Sequence, residues 1–301
     1  MNSLFLVVVL LLQSMPPAPP AQEAVTAESV LERALAYQRG DSPVTPPGTF
    51  RGRFYVTARN PQDGSSINLS VERLYARAPE RLWTHSVDSV VGSDSTVVYD
   101  RGDAWFRDNA TGKVVVYSED PATFQTDLEQ LDGELRLMPV FLDAVVLDAL
   151  VPRLQEPVFA GEHTLEVPRQ GEVSIHRVRA RVVDDLFGPD FDAPPPMPGD
   201  PPPSLELELD VDVGTGQLWA VRLRTLSRVK ERRLELRFKL HIETEDGLKV
   251  PGNVKVYEDG SDVETLNFGL EFVDTPEGSR VEFELDPELD PARFAVPEDR
   301  G

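Results

Sequence analysis

The strictest constraint in this sequence is an alternation that begins at Leu205. Leu205, Leu207, Leu209, Val211 and Val213 occupy every second position, and Glu206, Glu208, Asp210 and Asp212 fill the places between them. A period of two belongs to an extended strand with one dry and one charged face; a helix would scatter these residues around its axis. Gly214-Thr215-Gly216 follows as a turn. A three-residue loop sets Val213 opposite Gln217, Glu208 opposite Arg222 and Glu206 opposite Arg224. The same register pairs Leu209 with Val221 and Leu207 with Leu223, so both faces agree. A two-residue loop would set Glu208 against Val221. The stretch is predicted to be a β-hairpin with one apolar face.

Later segments repeat the pattern. Leu234, Leu236, Phe238, Leu240 and Ile242 alternate with Glu235, Arg237, Lys239 and His241. Leu266, Phe268, Leu270 and Phe272 form a second row, and Val281, Phe283 and Leu285 a third. Between Phe50 and Tyr117 a period of two, broken by turns at Asn60–Gly64, Ala78–Glu80 and Asn109–Gly112, predicts four or five antiparallel strands. Strands resume near Val158 and run to about Leu285, around a proline-rich loop at 190–204. Helical spacing is confined to two places. Thr26 can cap a helix over 27–39 whose stripe is Val30, Leu31, Ala34, Leu35 and Gln38, with Gly40 at its end. Residues 121–152 show the same spacing, divided by Gly133 and Pro139, with Pro139 suited to a helix start. The fold class expected is α+β, mainly β: a curved antiparallel sheet whose apolar face is covered by the two helical segments, in a single domain over 25–301.

Leu4 to Leu12 is an unbroken apolar run followed by a Pro/Ala stretch to Ala24. It is far short of the ~20 residues that cross a bilayer, and it suits the hydrophobic part of a signal peptide over 1–24. The n-region lacks Lys and Arg, and an uncleaved anchor is the alternative. The formal charge of −22 repels phosphate backbones, so nucleic acid is not an expected partner. The absence of cysteine removes disulfides, thiolate metal sites and thiol nucleophiles together. The expected compartment is outside the cytoplasm, the bacterial periplasm first.

Four stretches then resemble a known family. Leu74-Tyr75-Ala76-Arg77-Ala78-Pro79-Glu80-Arg81-Leu82-Trp83 is similar to a strand with an Arg-Pro step and a tryptophan. Val98-Tyr99-Asp100-Arg101-Gly102-Asp103-Ala104-Trp105-Phe106 resembles an Asp-Gly turn leading to a tryptophan. Asp246 to Pro251 resembles a late hairpin, and Leu289 to Phe294 a closing Asp-x-x-x-Phe segment. Together they resemble the superfamily of the periplasmic lipoprotein carriers LolA and LolB over most of 27–297. Two departures stand out: Ala78 separates Arg77 from Pro79, and Trp83 lies one residue nearer that proline than usual. The resemblance implies that the sheet is an incomplete β-barrel with helices on its concave face, a half-barrel holding acyl chains under a helical lid, without enzymatic activity or cofactor.

On that reading the ligand walls are Trp83, Trp105, Leu209, Trp219, Leu236, Phe238, Phe268 and Phe272 from strands, and Leu31, Leu35, Phe141, Val145 and Leu150 from the lid. The plainer alternative is that they pack as an ordinary core. The partner expected is a lipid or lipoprotein acyl chain; the alternative is an envelope protein bound by the same fold without lipid. Arg222 to Lys239 carries eight Lys/Arg against two Glu. Arg228, Lys230, Arg232 and Arg233 are the candidates for a partner dock within it, against neutralisation by the acidic strand alongside. His85, His163, His176 and His241 are scattered at mostly polar strand positions, where solvation is expected rather than catalysis or metal binding. No Gly-x-Ser-x-Gly, His-Glu-x-x-His or phosphate-loop pattern occurs.

Overall fold

The computed structural model describes residues 24–40, 48–59, 63–128, 131, 146–167, 170–182, 205–225, 232–244, 247–258, 260–275 and 278–297. The segment 1–23 and the proline-rich loop at 190–204 lie outside the described residues.

Two meanders join edge to edge in one open antiparallel sheet. The first comprises β1 (Thr49–Arg59), β2 (Ser66–Arg77), β3 (Glu80–Asp88), β4 (Ser93–Asp100), β5 (Asp103–Asp108) and β6 (Val114–Val116). The second comprises β7 (Leu154–Val167), β8 (Gly171–Val182), β9 (Leu205–Asp212), β10 (Leu218–Thr225), β11 (Arg232–Glu243), β12 (Lys249–Glu258) and β13 (Leu266–Leu270). β1 pairs with β13, giving the order β6-β5-β4-β3-β2-β1-β13-β12-β11-β10-β9-β8-β7. β14 (Phe272–Thr275) and β15 (Gly278–Val281) form a separate ribbon, and β16 (Phe283–Leu285) pairs with β1. The sheet is not closed into a barrel, as the resemblance implies; the first meander has six strands rather than four or five.

This order imposes a lid. β6 and β7 are consecutive in the chain yet form opposite ends of the strand path. Twelve strand spacings of ~4.8 Å would put about 58 Å between them in a flat sheet. The described residues of the connection between Val116 and Leu154 lie on one face. Tyr117, Leu131 and Val146 pack with Phe50, Phe54 and Tyr75 of the first meander. Leu147 and Leu150, in the short helix α2 (Leu147–Leu150), pack with the second. The predicted helix start at Pro139 lies outside the described residues.

Helix α1 (Ala27–Arg39) covers the same inner face. Its bounds are those the spacing predicts. Thr26 Oγ1 accepts from Ser29 N at 3.2 Å while Ser29 Oγ accepts from Thr26 N at 3.1 Å, a reciprocal cap. Ala27, Val30, Leu31 and Ala34 bury against β8 to β12.

The β9–β10 hairpin reaches the predicted pairs by another route. Leu209 faces Val221, Glu208 faces Arg222, Leu207 faces Leu223 and Glu206 faces Arg224. Near the turn, however, Leu218 faces Val211, and Asp212 N donates to Gln217 O at 2.8 Å. The loop is therefore Val213–Gly216, one residue longer than expected, and a bulge at Trp219 absorbs the extra residue. Gly216 adopts φ +84, and a Cβ there would lie 2.6 Å from the Arg33 carbonyl oxygen on α1. Gly216→Ala is expected to cost about 2 kcal/mol or more through strain and this collision. Gly214→Ala, whose Cβ would approach nothing nearer than Asp212 Oδ1 at 3.4 Å, is the control, expected within ~0.5 kcal/mol. Urea midpoints of the two variants decide it.

The outer face carries the charges. Arg179, Glu208, Arg222 and Glu235 face one another across β8 to β11, an alternating-sign row. In the first meander the outer face is instead covered by the chain's end. Residues 289–296, with a 3-10 turn at Pro291–Arg293, lay Leu289, Phe294 and Val296 on Leu74, Val98 and Trp105.

Candidate functional site

The inner face under α1 and α2 gathers part of the predicted wall. Leu31, Leu150, Leu209, Leu236 and Phe238 belong to one buried cluster, with Leu35 and Phe268 packed at its margin. Phe268 also touches the cluster of the first meander, so the apolar surface continues across the β1–β13 junction. Phe141 and Val145 lie outside the described residues.

Four expected wall residues are elsewhere. Trp83 and Trp105 are on the outer face under the C-terminal segment: Trp105 Nε1 donates to Phe294 O at 3.3 Å, and the Arg293 guanidinium stacks 4.9 Å from the Trp83 ring. The run Ala104-Trp105-Phe106 is apolar at successive positions because β5 is covered on both sides, a pattern that fits a doubly buried strand. Trp219, the bulge residue, turns outward to Val167 and Ile175, with Nε1 3.3 Å from Asp212 Oδ2. Phe272 is 62% exposed, because the sheet strand stops at Leu270 and Phe272 opens the separate β14–β15 ribbon.

Five polar attachments hold the lid. Arg33 Nη1 donates to Val213 O at 2.9 Å, and its Nη2 lies 2.8 Å from His176 Nδ1. Tyr37 Oη donates to Gln217 Oε1 at 3.2 Å. Leu147 N donates to Gln38 Oε1 at 2.7 Å, and Arg39 Nε donates to the buried Asp148 at 2.6 Å. The last two tie α1 to α2, so the two lid elements are joined to each other as well as to the sheet. Gln38 was visible in the apolar stripe of α1 as the polar member, and His176, Val213 and Gln217 were read only as strand or turn residues; the sequence pattern singles out none of Arg33, Tyr37 and Arg39.

Two histidines depart from the expected solvation. His176 is 5% exposed beneath α1, and burial followed by the nearby Arg33 lowers its pKa, against an opposing pull from Glu162. His241 turns under Tyr37, with ring centroids 5.8 Å apart, because Leu240 adopts φ +53 and throws its own side chain outward. Burial alone lowers the His241 pKa to about 4. Tyr37 shifts upward through burial and, less, through Asp212. His85 is held by Asp94 at 2.8 Å and His163 is exposed, nearer the expectation.

Of the basic segment, Arg228 and Lys230 lie outside the described residues. Arg232 pairs with Thr225 and Arg233 with Arg224 along the β10–β11 ladder. Arg222 is neutralised by Asp210 at 2.5 Å and Glu235 at 3.0 Å, and Arg224 approaches Glu206 at 3.5 Å. Among the described residues no group of His, Asp and Glu is placed to hold a metal ion, and no helix is long and apolar enough to cross a membrane.

No protein-family model and no curated protein matches this chain. Solved structures with a similar chain trace include a LolA superfamily protein from Nitrosomonas europaea, at 11% identity and TM-score 0.46, covering 91% of this chain and 99% of that one. A putative outer membrane lipoprotein-sorting protein domain from Vibrio parahaemolyticus, at 10% identity and TM-score 0.42, covers 89% of this chain and 97% of that one. A DUF1329 family protein from Desulfovibrio piger has 11% identity, TM-score 0.42 and the same coverage. The superfamily that the four sequence motifs resemble is thus also found among these neighbours. At these TM-scores the likeness carries nothing about ligand or activity.

Proposed function

We propose that this chain is a non-enzymatic binding protein exported from the cytoplasm, which holds a lipid or lipoprotein acyl chain between the inner face of its sheet and the lid made by α1 and the β6–β7 crossover. The observation that supports this reading most is the construction of the lid. An aliphatic wall running through both meanders is covered by two elements joined to each other and attached to the sheet mainly at side chains of α1. Lifting such a lid would open apolar surface without breaking a strand ladder. A 16-carbon chain placed there would gain roughly 12 kcal/mol of transfer free energy before ordering costs.

Native mass spectrometry of the purified protein is expected to show adducts of lipid mass that delipidation removes and added fatty acid restores. A protein that carries none, and that takes up no apolar fluorescent probe, contradicts the reading. In that case, pull-down of an envelope protein would favour the protein-interaction alternative.

A further inference from the structure

Arg33 makes two of the polar contacts that fasten α1 to the sheet and its β9–β10 turn. Its Nη1 donates to Val213 O at 2.9 Å and its Nη2 donates to His176 Nδ1 at 2.8 Å. The second contact is conditional on charge. A guanidinium has donors only and stays protonated, so His176 Nδ1 must present its lone pair while the ring proton sits on Nε2. A second proton can enter only at Nδ1. There it replaces the acceptor by a donor and sets an imidazolium directly against a guanidinium.

Few other charges reach the ring. His176 lies on β8, 5% exposed, with Val211 of β9 on one side and Glu162 of β7 on the other. The Phe159 ring of β7 stands edge-on to it, with centroids 5.2 Å apart. The acids flanking Val211 are engaged elsewhere, Asp210 by Arg177 and Arg222, Asp212 by the 213–216 turn and Trp219. Glu32, beside Arg33 on α1, is exposed. Two charges thus act on the ring in opposite senses. Arg33 disfavours the imidazolium, and the exposed Glu162 on the neighbouring strand favours it. Burial and Arg33 together outweigh Glu162, so the closed lid keeps the ring neutral.

We propose that His176 is a proton-operated latch for the lid: the neutral ring holds α1 through Arg33, and the imidazolium releases Arg33 and turns to Glu162, so that acid opens the inner wall and frees the bound acyl chain. This rests on the binding function proposed above and adds its control. The α1–α2 contacts of Gln38 and Arg39 do not involve the ring, so the two lid elements would leave the sheet together. The opened chain carries one proton more than the closed one. Closed-lid affinity is therefore complete above the ordinary histidine value of about 6.5 and falls below it, by at most about tenfold per pH unit for one site.

The test is binding of Nile red, a neutral apolar fluorophore, to the full purified chain between pH 7.5 and pH 5. His176→Asn keeps an acceptor where Nδ1 stands and removes the proton site. The dissociation constant of the parent is expected to rise about tenfold more between pH 7 and pH 5 than that of His176→Asn. His241 is present in both chains and cancels in this comparison. Glu162→Gln, at an exposed position, serves if His176→Asn does not fold. It removes the partner of the imidazolium, so the pH of half-maximal binding is expected to fall by about half a unit. Equal rises in the parent and His176→Asn, or an unmoved midpoint in Glu162→Gln, overturn the latch and leave the acyl-binding reading in place. A parent chain that binds no Nile red at pH 7.5 overturns both.

Discussion

Asp210→Ala is expected to lower the free energy of unfolding by about 3–5 kcal/mol, the cost of removing one partner from a buried ion pair. The Asp210 side chain is fully buried in the outer layer of β9 and is shared by two cations. Arg177 Nε donates to one oxygen at 2.7 Å, and Arg222 Nη1 donates to the other at 2.5 Å. Removing the carboxylate leaves two guanidiniums that are 22% and 27% exposed, too little for water to replace it fully. Glu235 still faces Arg222 at 3.0 Å, which moderates the loss on that side. Glu206→Ala is the comparison. Its contact with Arg224 is 3.5 Å long and both side chains are wetter, so the expected cost is below ~1 kcal/mol. Urea unfolding of the two variants should therefore differ several-fold in effect. Equal losses would mean that the row acts as a diffuse surface field rather than through a buried centre. The inner aliphatic wall under the lid is the reverse side of these same strands, so the row fixes the platform on which any ligand would lie.

The hairpin register was legible because two independent patterns, one on each face, had to agree. Its turn was not, because a longer loop and a compensating bulge at Trp219 produce the same pairs beyond it. Periodicity also could not say which face of the first meander looks inward. In β3 and β5, Leu82-Trp83 and Ala104-Trp105 are adjacent apolar residues, so either parity reads as buried. The answer lies some 190 residues away, as the Trp105–Phe294 hydrogen bond shows. A strand that ends, or a residue that takes a left-handed conformation, redirects the positions after it without any change of composition. Phe272 leaves the sheet because β13 ends at Leu270 and Phe272 opens a separate ribbon, and His241 turns toward α1 because Leu240 takes a left-handed conformation. The α1 part of the lid was legible as helical spacing, whereas the covering role of the described residues between β6 and β7 is read from the strand order, which puts these two consecutive strands at opposite ends of the path.

His241 should make the lidded state acid-sensitive. It is half-buried on β11, opposite Pro251, with the Tyr37 ring edge-on to it at 5.8 Å and the Lys249 ammonium 4.7 Å from the centroid of that ring. None of these partners favours the imidazolium, and burial lowers its pKa from 6.5 to about 4. The unfolded chain binds a proton below about pH 6.5 while the folded chain does not until about pH 4. The contribution of the neutral ring is therefore complete above pH 6.5 and lost as pH falls across that window, at ~1.4 kcal/mol per pH unit and about 3 kcal/mol in all. His176, held beside Arg33, shifts in the same direction and adds to the slope. In His241→Phe the ring contact with Tyr37 is kept and the proton site removed. The stability difference between the parent and this variant should shrink by about 2 kcal/mol between pH 6.5 and pH 5, because carboxylates that titrate in both proteins cancel. A difference that stays constant over that range would show that His241 is hydrated in solution and that α1 does not seal it. Since both histidines lie beneath α1, the same loss should appear first as release of that helix, which amide exchange in residues 27–39 would report before the sheet opens.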